Sequence, residues 1–397
     1  MSSVLVLNAH AKSGLVAIRR LAARGIDVTA ASSMRWSAAR FSRDVDRYLI
    51  YPDPARRTGE FLEAVEGELA RGDYDVLLPI NEQTVETVVH NRSRFERHTT
   101  VPFPSYEQLL VGLDKRRTVE AAREAGSPLP ETLFSDEASL ADVEATLGYP
   151  VVVKYPFGEG GKNVYICESA DELERATRRG EERFGVVLFQ EFVPNGGERG
   201  VYTLYDASTT MVGLTVQRRL RSRPPEGGAS TYRETVADPD LVAVADEFLT
   251  SLDWSGLAMV EFRIDARTGE PKLIELNPRF WGSLSLSTFA GVDFPYLLYR
   301  LAIDESPPPV LEYDVGVRSR CLFTDALQLT ERADRLRAVR EFLTPSPRPC
   351  THDIVSLRDP LPTVGQVAYY AAVAYEKVTG SPADDVSDRE APTPQRS

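Results

Sequence analysis

Apolar positions in the first hundred residues follow two alternating rhythms. Short β-branched runs, SVLVLNA from Ser3, DVTAAS from Asp27 and YDVLLPI from Tyr74, alternate with segments whose apolar residues recur every three or four positions. The runs predict strands, and the spaced segments predict helices ending at Gly25 and over about 58–71 and 83–95. TVPFP, from Thr100, reads as one more short strand. This order predicts a parallel α/β sheet. The first turn, Asn8–Leu15, holds only Gly14 and lacks G-x-G-x-x-G, which argues against a dinucleotide site. The loop Pro79–Glu82 follows a buried strand, where such sheets often present ligand groups, but a helix capped by Asn81 explains it equally well.

Further along, the pattern predicts helices from Asp114 and over about 136–146, 170–182 and 238–252. Strands are predicted at VVVK (to Lys154), VYIC, VVLFQEFVP, VYTLYD and MVGLTVQRRL, followed by a hairpin whose arms are VEFRID and LIELN. After Val310 the texture changes. VGVRSRCLF reads as a strand, 326–343 as a polar helix, and 362–378 as an Ala- and Tyr-rich helix packed on the main body. Residues 381–397 are polar and proline-containing, and are expected to be disordered.

The most informative stretch is Leu273–Ser283, LIELNPRFWGS. Glu275, Asn277 and Arg279 alternate, so on a strand their side chains leave the same face. A turn near Thr268 would place Glu261 across from Glu275. Two acids side by side repel, and a hard cation with oxygen ligands resolves that conflict; Mg²⁺ characteristically takes one or two carboxylates plus phosphate oxygens. A solvated sheet face with a surface ion pair is the plain alternative, although Phe280-Trp281-Gly282 reads as burial and tight turning.

Three other segments carry chemistry. Lys154 and Lys162 flank the glycine turn Gly158-Glu159-Gly160-Gly161, where backbone N–H groups could approach phosphate oxygens. The turn is not a P-loop, which requires G-x-x-x-x-G-K-[ST]. Gln190-Glu191-Phe192-Val193-Pro194 ends a buried strand and precedes Glu198; alone it is only a strand–turn signal. The run Arg218–Arg223, joined to Pro224–Ser230, is either a solvated charge run or a shaped anion pocket for a carboxylate or a phosphate in transit.

Composition sharpens these readings. The chain has 397 residues, a net charge of −13 and 42% hydrophobic residues, as in a soluble protein of two or three domains. Its acidity argues against nucleic acid as a partner. Only 6 of its 46 basic residues are lysines, which makes Lys115, Lys154 and Lys162 conspicuous. Three scattered cysteines and four histidines suggest neither a disulfide framework, nor a zinc site, nor a Ser/His/Asp catalyst. There is no signal-peptide layout and no run long enough to span a bilayer, so a cytoplasmic location is expected.

Taken in order, DK…AGSPLPET, VVVKYPFGEGGKN, QEFVPNGGE, QRRLR…PPEGGAS and MVEFRID…LIELNPRFWGS resemble the ATP-grasp superfamily. Within it, they resemble the carboxylate–amine ligase group that includes the carbamoyl-phosphate synthetase large subunit. The resemblance covers about 1–305. It implies an α/β and α+β fold: a Rossmann-like pre-ATP-grasp domain over 1–112, then a two-part ATP-grasp domain over 113–305 with a lid at about 148–190. Residues 306–380 form a C-terminal extension with no assigned role. By the same resemblance Lys115 and Lys154 contact ATP phosphates, and Gly158, Gly160 and Gly161 close over them. Gln190, Glu191 and Val193 form the adenine hinge, and Glu198 takes the ribose. Glu261, Glu275 and Asn277 hold Mg²⁺, for which Mn²⁺ can substitute, and Arg279 and Arg219 serve the transferred phosphoryl group. Lys162 departs from the pattern, since a small residue often fills that place. The implied reaction is ATP-dependent C–N ligation (or ligation to a thiol) through an acyl phosphate, with a small carboxylate and an amine as substrates and a homodimer as a common assembly. The alternatives are an ATP-binding regulatory or scaffold protein with a degenerate acceptor site, and a kinase-like enzyme that releases the acyl phosphate. A biotin-dependent carboxylase is disfavoured, because no biotin-acceptor segment is recognisable.

Overall fold

The computed structural model describes residues 2–158, 163–223, 228–329 and 334–379. Gly160, Gly161, Lys162, the loop 224–227 and the tail 381–397 lie outside the described residues. Three sheets carry the fold. The first has four parallel strands, β1 (Ser3–Val6), β2 (Asp27–Ser32), β3 (Arg47–Ile50) and β4 (Val76–Leu78), in the order β3-β2-β1-β4. Its strands are short, and β1, β2 and β4 are mostly buried, as a parallel sheet flanked by helices requires, while the edge strand β3 is largely exposed. Asn81 caps the helix Glu82–His90 by accepting from the Thr84 N–H at 3.0 Å.

A second four-stranded sheet consists of β5 (Thr132–Phe134), β6 (Val151–Lys154), β7 (Val164–Cys167) and β8 (Leu188–Glu191), ordered β5-β8-β6-β7 and antiparallel throughout. The helices Leu140–Leu147 and Ala170–Phe184 accompany it and share a core with Val151, Val153 and Phe189. The lid expected at about 148–190 thus has a sheet that begins earlier, at Thr132.

The third sheet has seven strands in the order β13-β12-β9-β10-β11-β14-β15. These are β9 (Asn195–Tyr205), β10 (Met211–Arg223), β11 (Ala229–Thr235), β12 (Gly256–Asp265), β13 (Pro271–Asn277), β14 (Arg318–Arg320) and β15 (Cys350–His352). The last two come from the segment read as a C-terminal extension, so that segment completes the central sheet. It is also tied to the first sheet's helices: the Arg19 Nε lies 3.0 Å from Asp359 Oδ2, which also accepts from Ser42 Oγ at 2.6 Å. The first sheet has no private core. Its residues form one cluster with Leu204, Leu257, Phe280, Trp281, Phe294 and Ile354.

Five expected elements differ. TVPFP is a single bridge from Thr100 to Val76, because Pro102 and Pro104 lack the N–H groups a strand needs. The helix expected over 83–95 breaks at Asn91 into Glu82–His90 and Arg92–Phe95. The helix expected from 136 begins at Leu140, where Ser139 and Asp142 form a capping box. Of VGVRSRCLF only Arg318–Arg320 is strand, and in place of one helix over 326–343 there are the helices Leu322–Gln328 and Arg335–Leu343. Among the described residues no helix is long and apolar enough to cross a membrane.

One contact fixes the end of β13. A Cβ on Gly112, in the helix Tyr106–Leu113, would lie 2.7 Å from Pro278 Cδ. Replacing a helical Gly with Ala ordinarily gains about 1 kcal/mol, whereas overpacking costs about 1–3 kcal/mol. Against a rigid proline ring the clash prevails. Gly112→Ala should therefore lower the urea midpoint. Gly67→Ala, which meets only the flexible end of Arg71 at 3.3 Å, should leave it unchanged or raise it.

Candidate functional site

The β12–β13 hairpin sets Glu261 directly opposite Glu275, with a register irregularity just after Glu261. Leu276 points the other way into the core, and so Glu275, Asn277 and Arg279 share the face above a cavity of about 530 Å³. Asn277 is buried; its Oδ1 accepts from Arg279 Nη2 at 3.0 Å, while its Nδ2 has no hydrogen-bond partner. Arg279 also lies 3.8 Å from Glu82 Oε2, reaching the loop after β4. Burial raises the Glu261 pKa and Glu275 raises it further, against the pull of Arg219.

Across the cavity stand Lys115 and Lys154. Lys154 ends β6 and is buried; Lys115 opens the helix Lys115–Glu124, capped by Asp114, and its Nζ donates to the Gly158 carbonyl at 2.5 Å. Among the described residues neither lysine has a carboxylate within ion-pair distance. Burial, and then the charge of Lys115, bring Lys154 down to about 8, with Glu275 opposing. Gly158, at φ 130°, holds a conformation that favours glycine, and the Tyr155 N–H bonds the Asn163 carbonyl at 3.0 Å, closing the β6–β7 connection.

The strand β8 borders the cavity with Gln190, Glu191, Phe192 and Val193. β8 lies between β5 and β6, so its own main chain is engaged, while the Gln190 amide is held by Thr132 at 3.0 Å and the Glu191 carboxylate by Arg267. The main chain of Phe192 and Val193, just past the strand, is what remains to meet a planar ligand edge. Glu198 is held between Arg219 at 3.0 Å and Arg263 at 2.8 Å. Arg219 also bonds Glu261 and the Gly228 carbonyl. Strand alternation separates Arg219, which enters the cavity, from Arg218, which pairs with Glu234; a register shift after Arg219 accompanies the turning of Arg221 to Asp325.

Every described residue singled out from the sequence for phosphate, hinge, ribose, metal or phosphoryl contact lines this one cavity. The sequence reading missed Lys12, Tyr202 and Arg263, which line it as well, as do Trp281 and Ser283 at the end of the LIELNPRFWGS stretch. Lysine scarcity could have found the first of these, since three of six lysines converge here. Nothing in the local sequence marks Tyr202 or Arg263.

Two family models match: "Carbamoyl-phosphate synthase L chain, ATP binding domain" over 114–215, and "ATP-grasp in the biosynthetic pathway with Ter operon" over 185–321. The N-terminal section of the carbamoyl phosphate synthase large chain of Methanopyrus kandleri is 24% identical over 306 residues, 73% of this chain and 53% of that protein. The chain belongs to the ATP-grasp superfamily. It spans about half the length of that Methanopyrus relative. The ATP-grasp fold is shared with biotin carboxylase of Campylobacter jejuni in complex with a βγ-ATP ligand, at a TM-score of 0.67 and 18% identity, covering 80% of this chain and 74% of that one. It is shared too with N5-carboxyaminoimidazole synthetase of Staphylococcus aureus complexed with ADP, at a TM-score of 0.63 and 15% identity, over 79% and 80% of the two chains.

The donor set suits the groups an ATP-grasp fold implies. Two carboxylates in register and a buried amide suit a hard cation completed by phosphate oxygens. Among the described residues no cluster of three or more His, Cys, Asp or Glu could hold a metal by itself. Two lysines without a carboxylate partner suit the phosphates.

The lysine pair generates a pH prediction. A folded-state pKa of about 8 against the ordinary 10.5 means that the unfolded chain holds the Lys154 proton more tightly. Lys154 therefore contributes a rise in stability with pH between those two values. Lys115→Met should raise the Lys154 pKa and narrow that window, as read from amine-labelling rates against pH. An unchanged Lys154 profile would contradict the like-charge coupling.

Proposed function

We propose that this chain is an Mg²⁺-dependent ligase that uses ATP to join a carboxylate to an amine, releasing ADP and phosphate. The observation that carries this reading is the pairing of Glu261 and Glu275 on one wall with Lys115 and Lys154 on the other. Opposed charge of that kind suits a metal-bound polyphosphate. On this reading the main chain of Phe192 and Val193, beside Gln190 and Glu191, meets the adenine edge and Glu198 the ribose hydroxyls. Lys115 and Lys154 neutralise phosphate oxygens, and the glycine turn closes over them. Glu261, Glu275 and Asn277 hold the metal, which supplies charge compensation on the phosphates when bound.

The substrate carboxylate attacks the terminal phosphorus and ADP departs, leaving an acyl phosphate. The amine nitrogen then bonds the acyl carbon as the C–O bond to phosphate breaks, and the nitrogen loses a proton to solvent. Arg279 and Arg219 stabilise the charge on the transferred group, which is chiefly electrostatic work. Arg219 has a second duty: in the structure its guanidinium neutralises Glu261. With Glu261 engaged by a metal, that guanidinium becomes available to phosphoryl oxygens.

Glu275→Gln and Asn277→Ala should each lower ADP release by about 10²–10³-fold, the range expected when one preorganised charge-stabilising group is lost. The thermal midpoint should stay within a few degrees of wild type. The assay is Mg²⁺-dependent ADP release over a panel of carboxylate and amine pairs, with mass analysis of the product. Near-normal turnover in both variants would contradict the metal assignment.

A further inference from the structure

The cavity has a direction. Its hinge end lies where β13 begins, since Lys272 Nζ bonds the Leu129 carbonyl and Arg267 bonds Glu191. From there it follows β13 past Glu275 and Asn277 to Arg279, Trp281, Gly282 and Ser283, and so reaches the first turn of the N-terminal sheet. At that far end the wall is completed by Lys12.

Lys12 is placed with care. A Cβ on Gly282 would sit 3.0 Å from Lys12 Cε, so the lysine stem crosses directly over a backbone that has no side chain. Two residues on, a Cβ on Gly14 would come within 3.2 Å of Ala9 Cα and of the Asn8 carbonyl, so the helix start packs closely on the preceding turn. The charge it brings is only partly answered. Its nearest anion is Asp353, 3.6 Å away from Nζ and beyond hydrogen-bond reach. Asp353 is already neutralised by the buried Arg233 and accepts from Ser285 at 2.5 Å, all through Oδ1. The other oxygen, Oδ2, faces Lys12, is buried and has no hydrogen-bond partner among the described residues. Burial alone would raise the Asp353 pKa, but Arg233 and then Lys12 hold it below the usual carboxylate range. Lys12, Arg233 and Asp353 together therefore leave one net positive charge at this end of the cavity.

The helix that Lys12 opens adds to that charge. Lys12–Ala22 starts after Ala11, which gives no side-chain cap, and has no acidic residue in its first turn. A lysine at the positive end of an uncapped helix is unfavourable by itself. An anion in front of it would reverse that sign, accepting from the unsatisfied backbone N–H groups and from Nζ together.

We propose that Lys12 and the N-terminus of this helix form an anion subsite at the acceptor end of the cavity. The molecule activated or joined there accordingly carries a further anionic group, a carboxylate or a phosphate ester, away from the reacting atoms. This assignment of substrate class rests on the ligase reading above. The anion subsite itself is testable without turnover.

The full-length protein is titrated with succinate and with inorganic phosphate under saturating MgADP, followed by tryptophan fluorescence and calorimetry. The expected result is saturable binding of at least one anion. Lys12→Met should weaken it about tenfold or more, as loss of a charge-assisted contact implies. Lys12→Arg should largely restore it, and MgADP affinity should be unchanged in both variants. The preferred probe identifies the group as carboxylate or phosphate ester. The proposal is overturned if neither anion saturates the wild type. It is likewise overturned if Lys12→Met binds as wild type does, or if binding is lost in Lys115→Met but kept in Lys12→Met, which places the anion among the nucleotide-phosphate lysines. Anion binding without MgADP binding would contradict the nucleotide reading and leave the anion subsite standing.

Discussion

The structure turns on two carboxylates held in register. Glu261 and Glu275 are cross-strand neighbours on a partly buried face, where like charges are costly and water does little to screen them. A fold under selection for stability alone would not keep that pair. Its cost is contained by Arg219, which bonds Glu261 and reaches back to Glu198 and the Gly228 carbonyl. The surrounding architecture serves to hold this conflict in place. The β9–β12 pairing supports the strand from behind, Leu276 anchors its reverse face, and Gly112 lets Pro278 lock its end.

A second like-charge pair faces the first. Lys154 and Lys115 are brought together by different elements, the end of β6 and the start of a helix. Each pair is unfavourable by itself, and together they leave a charge pattern that a metal-bound polyphosphate complements. This explains why the cavity lies at the seam of three sheets. The central sheet brings the acids, the β5–β8 sheet brings Lys154 and the end of β8, and the N-terminal sheet closes the far end with Lys12 and Glu82. The segment after Val310 contributes to this seam indirectly, because Asp353 buries Arg233 behind the acceptor end and β14 extends the sheet that carries Arg219.

Much of this was legible in the sequence where one side-chain period did the work. Alternation placed Glu275, Asn277 and Arg279 on one face, and the turn near Thr268 set Glu261 against Glu275 in the correct register. The cap at Asn81 and the helix from Asp114 were read from local chemistry. What escaped was non-local. Lys12 belongs to a turn that looks unremarkable until Gly282, 270 residues later, passes beneath it. Arg219 could not be told from Arg218 and Arg221 until the strand assigned each to a face. In the C-terminal segment β14 lies within VGVRSRCLF, which reads as a strand, whereas β15 stayed hidden because it has only three residues, too few for an apolar period to register.

The account requires that ATP be cleaved to ADP with its terminal phosphoryl carried on the substrate carboxylate. The most direct test supplies ATP, Mg²⁺ and an amine together with a panel of acids labelled with ¹⁸O in the carboxylate, and then weighs the released phosphate. The account predicts ADP as the nucleotide product and one ¹⁸O atom transferred from the acid to each phosphate. Release of AMP and pyrophosphate, or of unlabelled phosphate alongside amide formation, would contradict it.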